Sequence, residues 1–371
     1  MKEDRDLQFM HKAISLAEKA EGETNPNPMV GAVLVDKNNK IISEGYHRRA
    51  GASHAEVIAI EKAGVKAKGS TLYVSLEPCS SYGKTSPCVD KIIESGIKRT
   101  VIAALDPNPK NHNKSVKILR ESKIEVKVGV MKAEAEYLNR VFSKHIRERV
   151  PYVSLKTALS LDGRIADSRG VSKWISSSDA RDFVHREIRS KVDAIMVGID
   201  TILKDDPSLT LRNSKGGLVK DQPLRVVLDS TLRVPLESNI LKPSGGSVLI
   251  ATLVKTKKKK KREELIKRGV RIIDIACSNA KGLDLKRVLK ALYREGICHL
   301  LVEGGSSVLS SFLERGLADY VYFFISNMVL GGDYLMYNGR EFKLDRCPKI
   351  VRKDCRCFNN SIMVSGDIVH V

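Results

Sequence analysis

Residues 54–63 read HAEVIAIEKA, residues 71–79 read TLYVSLEPC, and Cys88 opens the stretch CVDKIIES that ends at Ser95. Their apolar spacing predicts a helix over His54–Ala63, a strand over Thr71–Ser75 and a helix over Cys88–Ser95. Helices and strands in alternation build an α/β layer with a largely parallel sheet. The same stretch carries chemistry. One imidazole, His54, and two thiols, Cys79 and Cys88, are suitable donors for tetrahedral zinc, and three protein ligands leave a fourth position for water. Glu56, two residues past His54, is placed to take a proton from that water. Helix N-termini at His54 and Cys88 favour thiolate over thiol through the helix dipole. A lone histidine is more often a satisfied core residue. Here the spacing, the proline before Cys79 and the carboxylate at Glu56 coincide.

Working outward, Leu7, Met10, Ile14 and Ala17 recur at helical spacing and predict an opening helix that Asn25-Pro26-Asn27-Pro28 breaks. Met29–Val35 and Ile41–Tyr46 read as strands joined by the turn Lys37-Asn38-Asn39-Lys40, and Thr100–Ala104 as another. A helical stretch over Ala133–Glu148 precedes Val150-Pro151, which sets the expected domains at 1–147 and 148–371. Alternation then restarts. Tyr152–Ala158, Ala194–Val197, Leu224–Leu228, Ser247–Ala251, Val270–Asp274 and His299–Val302 read as strands. Ser178–Arg189, Arg262–Arg268, Asp284–Glu295 and Ser306–Arg315 read as helices. The strand His299–Val302 runs through Glu303-Gly304-Gly305 into a helix, a turn that lets backbone approach a phosphate. It lacks the G-x-G-x-x-G spacing of the standard dinucleotide fingerprint.

A chain of 371 residues fits two domains, and 42% hydrophobic residues support globular packing. No apolar run approaches the roughly 20 residues of a membrane span. The charged start Met1-Lys2-Glu3-Asp4-Arg5-Asp6 has no signal-peptide core, and 7 cysteines do not make a disulfide framework. The expectation is a reduced, cytoplasmic protein. A net charge of +20 suits nucleic acid or small phosphorylated molecules, and charge alone does not choose. The dense run Lys255–Arg262 adjoins Glu263-Glu264 with few aromatics interleaved, which reads as a solvated helix face rather than a base-stacking platform.

His-x-Glu followed by Pro-Cys and a second cysteine is the signature of zinc deaminases that act on nucleobases, although the Cys79–Cys88 gap is wider than Cys-x-x-Cys. Further stretches sharpen the resemblance: Asn27-Pro28-x-Val30-Gly31-Ala32, Gly45-Tyr46-His47, Leu76-Glu77-Pro78-Cys79-Ser80, Gly83-Lys84-Thr85 with Pro87-Cys88, and Asp106-Pro107-Asn108-Pro109. In the second half they are Leu155-Lys156, Ser160–Ala166, Ser172-Lys173-Trp174-Ile175, Asp205-Asp206-Pro207 with Leu209-Thr210, and Val302-Glu303-Gly304-Gly305. In this order, over nearly the full length, the chain resembles the bifunctional riboflavin-biosynthesis deaminase–reductases.

The resemblance implies an N-terminal cytidine-deaminase-like three-layer domain and a C-terminal dihydrofolate-reductase-like α/β domain. It implies Zn2+ and NADPH as cofactors and a phosphoribosylaminopyrimidine as substrate, deaminated first and then reduced from ribosyl to ribityl. It also implies self-association into a homo-oligomer, with no nucleic-acid or membrane partner. Family positions place Asn27, His47 and Lys84 at the deaminase substrate. They place Ala158, Trp174, Thr201, Asp205, Ser230 and the turn Gly305, Ser306, Ser307, Val308, Leu309, Ser310, Ser311 near NADPH. Lys156, Ser172, Arg189, Leu209, Arg212 and Glu303 fall on the reductase substrate side. Arg189 and Arg212 suit a phosphate through bidentate donors, and Lys156 and Asp205 are candidates for assisting opening of the sugar.

The chain departs from the family at Ser81, where histidine is usual, and at Ser86, where proline is usual. A Gly-basic-Gly turn is replaced by Lys110-Asn111-His112-Asn113-Lys114-Ser115. These changes spare the zinc donors and Glu56 and bear on the shape of the pyrimidine pocket. The rival expectation is a deaminase of bases in RNA or DNA whose C-terminal half binds nucleic acid. The family-like second half speaks against it.

Overall fold

The computed structural model describes residues 2–81, 86–173, 175–213, 215–254, 256, 258–277 and 282–370. The chain divides into two compact units, Met1–Arg149 and Val150–Val371.

The first unit holds α1 (Lys2–Glu18), β1 (Gly31–Val35), β2 (Ile41–Tyr46), α2 (Ala55–Ala63), β3 (Thr71–Leu76), α3 (Cys88–Glu94), β4 (Arg99–Ala104), α4 (Lys114–Glu121), β5 (Glu125–Val128), α5 (Lys132–Leu138) and α6 (Arg140–Glu148). Its sheet runs β2-β1-β3-β4-β5. The expected parallel sheet is here a mixed one: β1 pairs antiparallel with both β2 and β3, while β3, β4 and β5 are parallel. The five residues between β1 and β2, 36–40, are too few for a parallel crossover, so a hairpin results. Alternation along the strands makes three layers. Val33 and Val35 face α1 and α5, whereas Ala32 and Leu34 face α2 and α3.

Two local expectations need correction. Met10, Ile14 and Ala17 are buried as read, but Leu7 is 49% exposed and Asp6 is buried instead. Asp6 sits there because Arg99, Lys127 and the Tyr73 hydroxyl all donate to its carboxylate. The helix expected over Ala133–Glu148 is two, parted at Asn139. The Asn139 amide faces Met29, accepting from its N–H at 2.8 Å and donating to its carbonyl at 2.9 Å.

The second unit holds β6 (Tyr152–Leu159), α7 (Ser178–Phe183), β7 (Ala194–Gly198), α8 (Ile199–Asp205), β8 (Leu224–Leu228), β9 (Val248–Leu253), α9 (Lys259–Lys267), β10 (Arg271–Ile275), α10 (Leu285–Arg294), β11 (His299–Val302), α11 (Ser306–Glu314), β12 (Tyr320–Ser326), β13 (Lys349–Phe358) and β14 (Ser361–Val369). The sheet order is β10-β9-β8-β7-β11-β6-β12-β14-β13. From β10 to β12 every pairing is parallel, and β14 and β13 then add an antiparallel edge. Buried runs such as AIMVG in β7 and LRVVL in β8 are covered on both faces, as parallel strands require. Met196 and Val226 pack with α10 and α11, while Ile195 and Val227 pack with α7 and α8. Helix α7 ends at Phe183 rather than Arg189, the chain continuing as one wider π-helical turn over Val184–Ile188.

Candidate active sites

In the first unit, loops after β2 and β3 converge on the start of α2. Gly45 in β2 lets that helix come close, since a Cβ there would strike the Ala55 carbonyl. His54 caps α2 and Cys88 begins α3. His54 Nδ1 lies 3.1 Å from Cys88 Sγ and 3.6 Å from Cys79 Sγ, and the Cys88 N–H donates to Cys79 Sγ at 3.3 Å. All three donor atoms fall within 4.8 Å of one another, near enough to share one ion. The Cys88 thiol also donates towards Cys79, which holds the Cys79 thiol well below its ordinary range.

Glu56 lies one helical residue inside α2, 3% exposed, and lines a cleft of about 650 Å³ with His54 and Cys79. Burial pushes its carboxyl up against the opposing pull of His54. Asn27 and His47 border the same cleft and touch, Asn27 Nδ2 to His47 Nε2 at 3.2 Å. His47 Nδ1 is 3.2 Å from the Ser53 carbonyl, which only accepts, so Nδ1 carries the proton and Nε2 receives the Asn27 amide. Burial lowers the His47 pKa and keeps the ring neutral. Lys84 lies outside the described residues.

In the second unit a cleft of about 400 Å³ opens beside β6, α8 and the turn into α11. Lys156, Ala158, Ser172, Arg189, Thr201, Asp205, Leu209, Glu303, Gly305, Ser306, Ser307 and Val308 line it. A Cβ built on Gly305 would meet nothing nearer than Thr201 Oγ1 at 3.7 Å, so the turn has open space over its backbone. Ser172 Oγ donates to Asp205 Oδ2 at 2.9 Å.

Several expected residues stand apart from that cleft. Leu309 is 1% exposed in the core, Ser310 is buried and bonded to Asn338, and Ser311 donates to the Ser307 carbonyl. Of the 305–311 stretch only 305–308 therefore lines the cleft, because a helix turns its next residues away from the face that starts it. Ser230 follows β8, its carbonyl taken by Thr252 and Thr256 hydroxyls. Trp174 lies outside the described residues. Arg189, expected at a phosphate, spends its fork on Glu303: Nε to Oε1 at 2.7 Å and Nη2 to Oε2 at 2.8 Å. Burial alone would raise the Glu303 carboxyl, but Arg189 and Lys156 outweigh it and hold it at about 2. Arg212 is exposed, its side chain bonding, among the described residues, Thr210 Oγ1 and the Gly216 carbonyl. Lys156 keeps its ammonium reluctantly, since burial lowers its pKa against the pull of Glu303.

Residues 151–363 match the family described as RibD C-terminal domain, and residues 3–104 the cytidine and deoxycytidylate deaminase zinc-binding region. The riboflavin biosynthesis protein RibD of Aquifex aeolicus is 45% identical over 326 residues, 88% of either chain. The chain belongs to the RibD family. The RibD of Escherichia coli is 38% identical over 339 residues, 89% of either chain. A crystal structure from Thermotoga maritima, described as a diaminohydroxyphosphoribosylaminopyrimidine deaminase/5-amino-6-(5-phosphoribosylamino)uracil reductase, superposes over both full chains with a TM-score of 0.84 at 36% identity. Acinetobacter baumannii RibD gives 0.86 at 34%. This RibD-family chain is thus a bifunctional riboflavin-biosynthesis enzyme, with a cytidine-deaminase-like zinc-binding domain and a reductase domain. The nucleic-acid deaminase expectation is set aside. No helix among the described residues is long and apolar enough to cross a membrane.

The departures from the RibD pattern are structurally coherent. Ser81 Oγ donates to Asn111 Oδ1 at 3.0 Å, so the unusual serine meets the unusual loop at the cleft wall. Asn113 takes φ +59, a conformation glycine adopts freely and asparagine tolerates. Glu77, which sequence reasoning treated only as a motif letter, anchors this loop. Its buried carboxylate accepts from the N–H groups of Asp106, Asn113 and Ser115 and from the Ser115 hydroxyl. Phe142, His145 and Ile146 of α6 also line the deaminase cleft, and Lys204 and Tyr334 the reductase cleft. Their spacing on α6 (i, i+3, i+4) was visible as an amphipathic face, but not what it faces.

Proposed function

We propose that this chain deaminates 2,5-diamino-6-(5-phosphoribosylamino)pyrimidin-4-one and then reduces the ribosyl chain of the product to ribityl with NADPH. The observation that carries the reading is the convergence of His54, Cys79 and Cys88 beside a buried Glu56 in an open cleft. The two sulfurs and one nitrogen suit zinc and leave a fourth position for solvent. Zinc held there supplies Lewis acidity that brings the pKa of water from about 15.7 towards neutrality. Glu56 takes one proton from the attacking water and passes it to the ring nitrogen; it then takes the second proton from the hydroxyl now on the ring carbon and gives it to the amine, so that the C–N bond breaks, the carbonyl forms and ammonia leaves. The Asn27 amide, fixed in orientation by the neutral His47, presents its carbonyl oxygen and remaining N–H as an acceptor–donor edge to the pyrimidine.

For the second step, the 305–308 turn at the head of α11 offers amide donors and a positive dipole to the cofactor's pyrophosphate. NADPH held there supplies the hydride. The sugar must first be opened, and Lys156 and Asp205, both lining the cleft, are the groups available to move that proton. Glu303, locked by Arg189, sets the field around Lys156 and holds substrate hydroxyls. Arg212, exposed and free of any carboxylate among the described residues, takes the phosphate end.

A coupled assay tests this reading. With the diaminopyrimidine alone, ammonia is released and the product accumulates; NADPH added afterwards is oxidised in equal amount. Ammonia release that requires NADPH, or NADPH oxidation without deaminated product, overturns the order of steps.

A further inference from the structure

Arg225 in β8 is among the largest side chains that are fully buried, at 1% exposed. Among the described residues it has no ion-pair partner, and its Nε has no hydrogen-bond partner. Burial pushes its guanidinium down to about 10, which leaves it a cation at neutral pH. A buried cation without a carboxylate is costly to desolvate, and its hydrogen bonds are what offset that cost. Those bonds go to main chain: Nη1 donates to the Ser208 carbonyl at 3.3 Å, and Nη2 donates to the Gly246 carbonyl. Gly245 has no room for a side chain, since a Cβ there would collide with Nη1.

Leu209 follows Ser208 and lines the reductase cleft. It holds φ +50, the left-handed region that a bulky side chain enters only under strain. The next carbonyl, Thr210, accepts from Arg189 Nη1 at 3.1 Å. Two guanidinium groups therefore seize the carbonyls on either side of the strained residue, one from β8 and one from the Glu303 pair. We propose that Arg225 is a positioning residue for the reductase, clamping the 207–210 segment so that Leu209 stands in the substrate wall in its left-handed form. It touches neither substrate nor cofactor, and Pro207 and Leu209 are what it delivers to the cleft.

The inference rests on the reading that this wall faces the pyrimidine substrate, and the experiment separates the two. Arg225→Met keeps the unbranched stem as far as the position of Nε and removes the guanidinium with both donors. Reductase kinetics are measured with the deaminated substrate and NADPH, and ammonia release is measured on the same sample as a control. The expected result is a substrate KM raised about tenfold or more, with the NADPH KM and the deaminase rate unchanged. Arg225→Lys, which keeps the charge but reaches one carbonyl, should fall between, and carries the test if the methionine variant fails to fold. In a Leu209→Gly background, where φ +50 costs nothing, the Arg225 substitution should raise KM less. An unchanged substrate KM, or substrate and NADPH KM rising together, or an effect undiminished by Leu209→Gly, overturns the proposal. A wild-type chain that reduces no deaminated substrate overturns instead the reading of the cleft.

Discussion

Arg189 and Glu303 lie 114 residues apart and meet through two parallel hydrogen bonds, with side chains only 13% and 10% exposed. Pairing of this geometry is the strong form of a charge contact, and at this depth its loss leaves one charge stranded. Arg189→Met should destabilise the second unit by about 3–5 kcal/mol and abolish reduction, while ammonia release persists. Thermal melting followed together with both activities checks this; an unchanged melting profile would show the pair to be dispensable.

Glu56→Gln keeps the volume of the side chain and the cleft but removes the proton acceptor. Ammonia release should fall about 10²–10⁴-fold, with metal content and NADPH oxidation on deaminated substrate unaltered. A variant that deaminates at the parent rate removes Glu56 from the reaction.

Gly305→Asp puts bulk and negative charge where a pyrophosphate would rest. Because a Cβ at this position meets only Thr201 Oγ1, at 3.7 Å, the fold should accept the change. The NADPH Kd should rise at least about tenfold, roughly 1.4 kcal/mol, measurable by titration of cofactor fluorescence. An unaltered Kd would place the cofactor elsewhere.

His185 accepts the Arg212 N–H through Nδ1, and burial followed by Arg189 lowers its pKa from 6.5 to about 4. The unfolded chain binds this proton more readily than the folded one. The associated stability is therefore complete above pH 6.5 and disappears as pH falls through about 4. The melting temperature of the wild type should decline over that window more steeply than that of His185→Asn. Parallel declines would mean that His185 is not the group that titrates.

Much of this arrangement was readable in the sequence, for reasons that differ by element. Strands such as Ala194–Gly198 are buried on both faces and read as unbroken apolar runs. By contrast, β13 lies at a sheet edge, and its KIVRKDCRCF is exposed along most of its length, so no apolar pattern announces it. Its partner β14 alternates only weakly, with Ser361, Ser365 and Gly366 on buried positions. The break at Asn139 is invisible locally because its cause, Met29, lies 110 residues away. The zinc donors and Glu56 were legible because their spacing is itself the chemical signal. The Arg189–Glu303 pair and the Arg225 clamp were not, since both depend on which strands become neighbours in the sheet.

The central claim is that one ion shared by His54, Cys79 and Cys88 drives the first step. Its most direct test is zinc content and ammonia release on the same sample, before and after chelation and after stoichiometric zinc is restored. The expected result is one zinc per chain, ammonia release that vanishes and returns with the metal, and NADPH oxidation on deaminated substrate that persists throughout. Metal-free protein that deaminates at the original rate would contradict it.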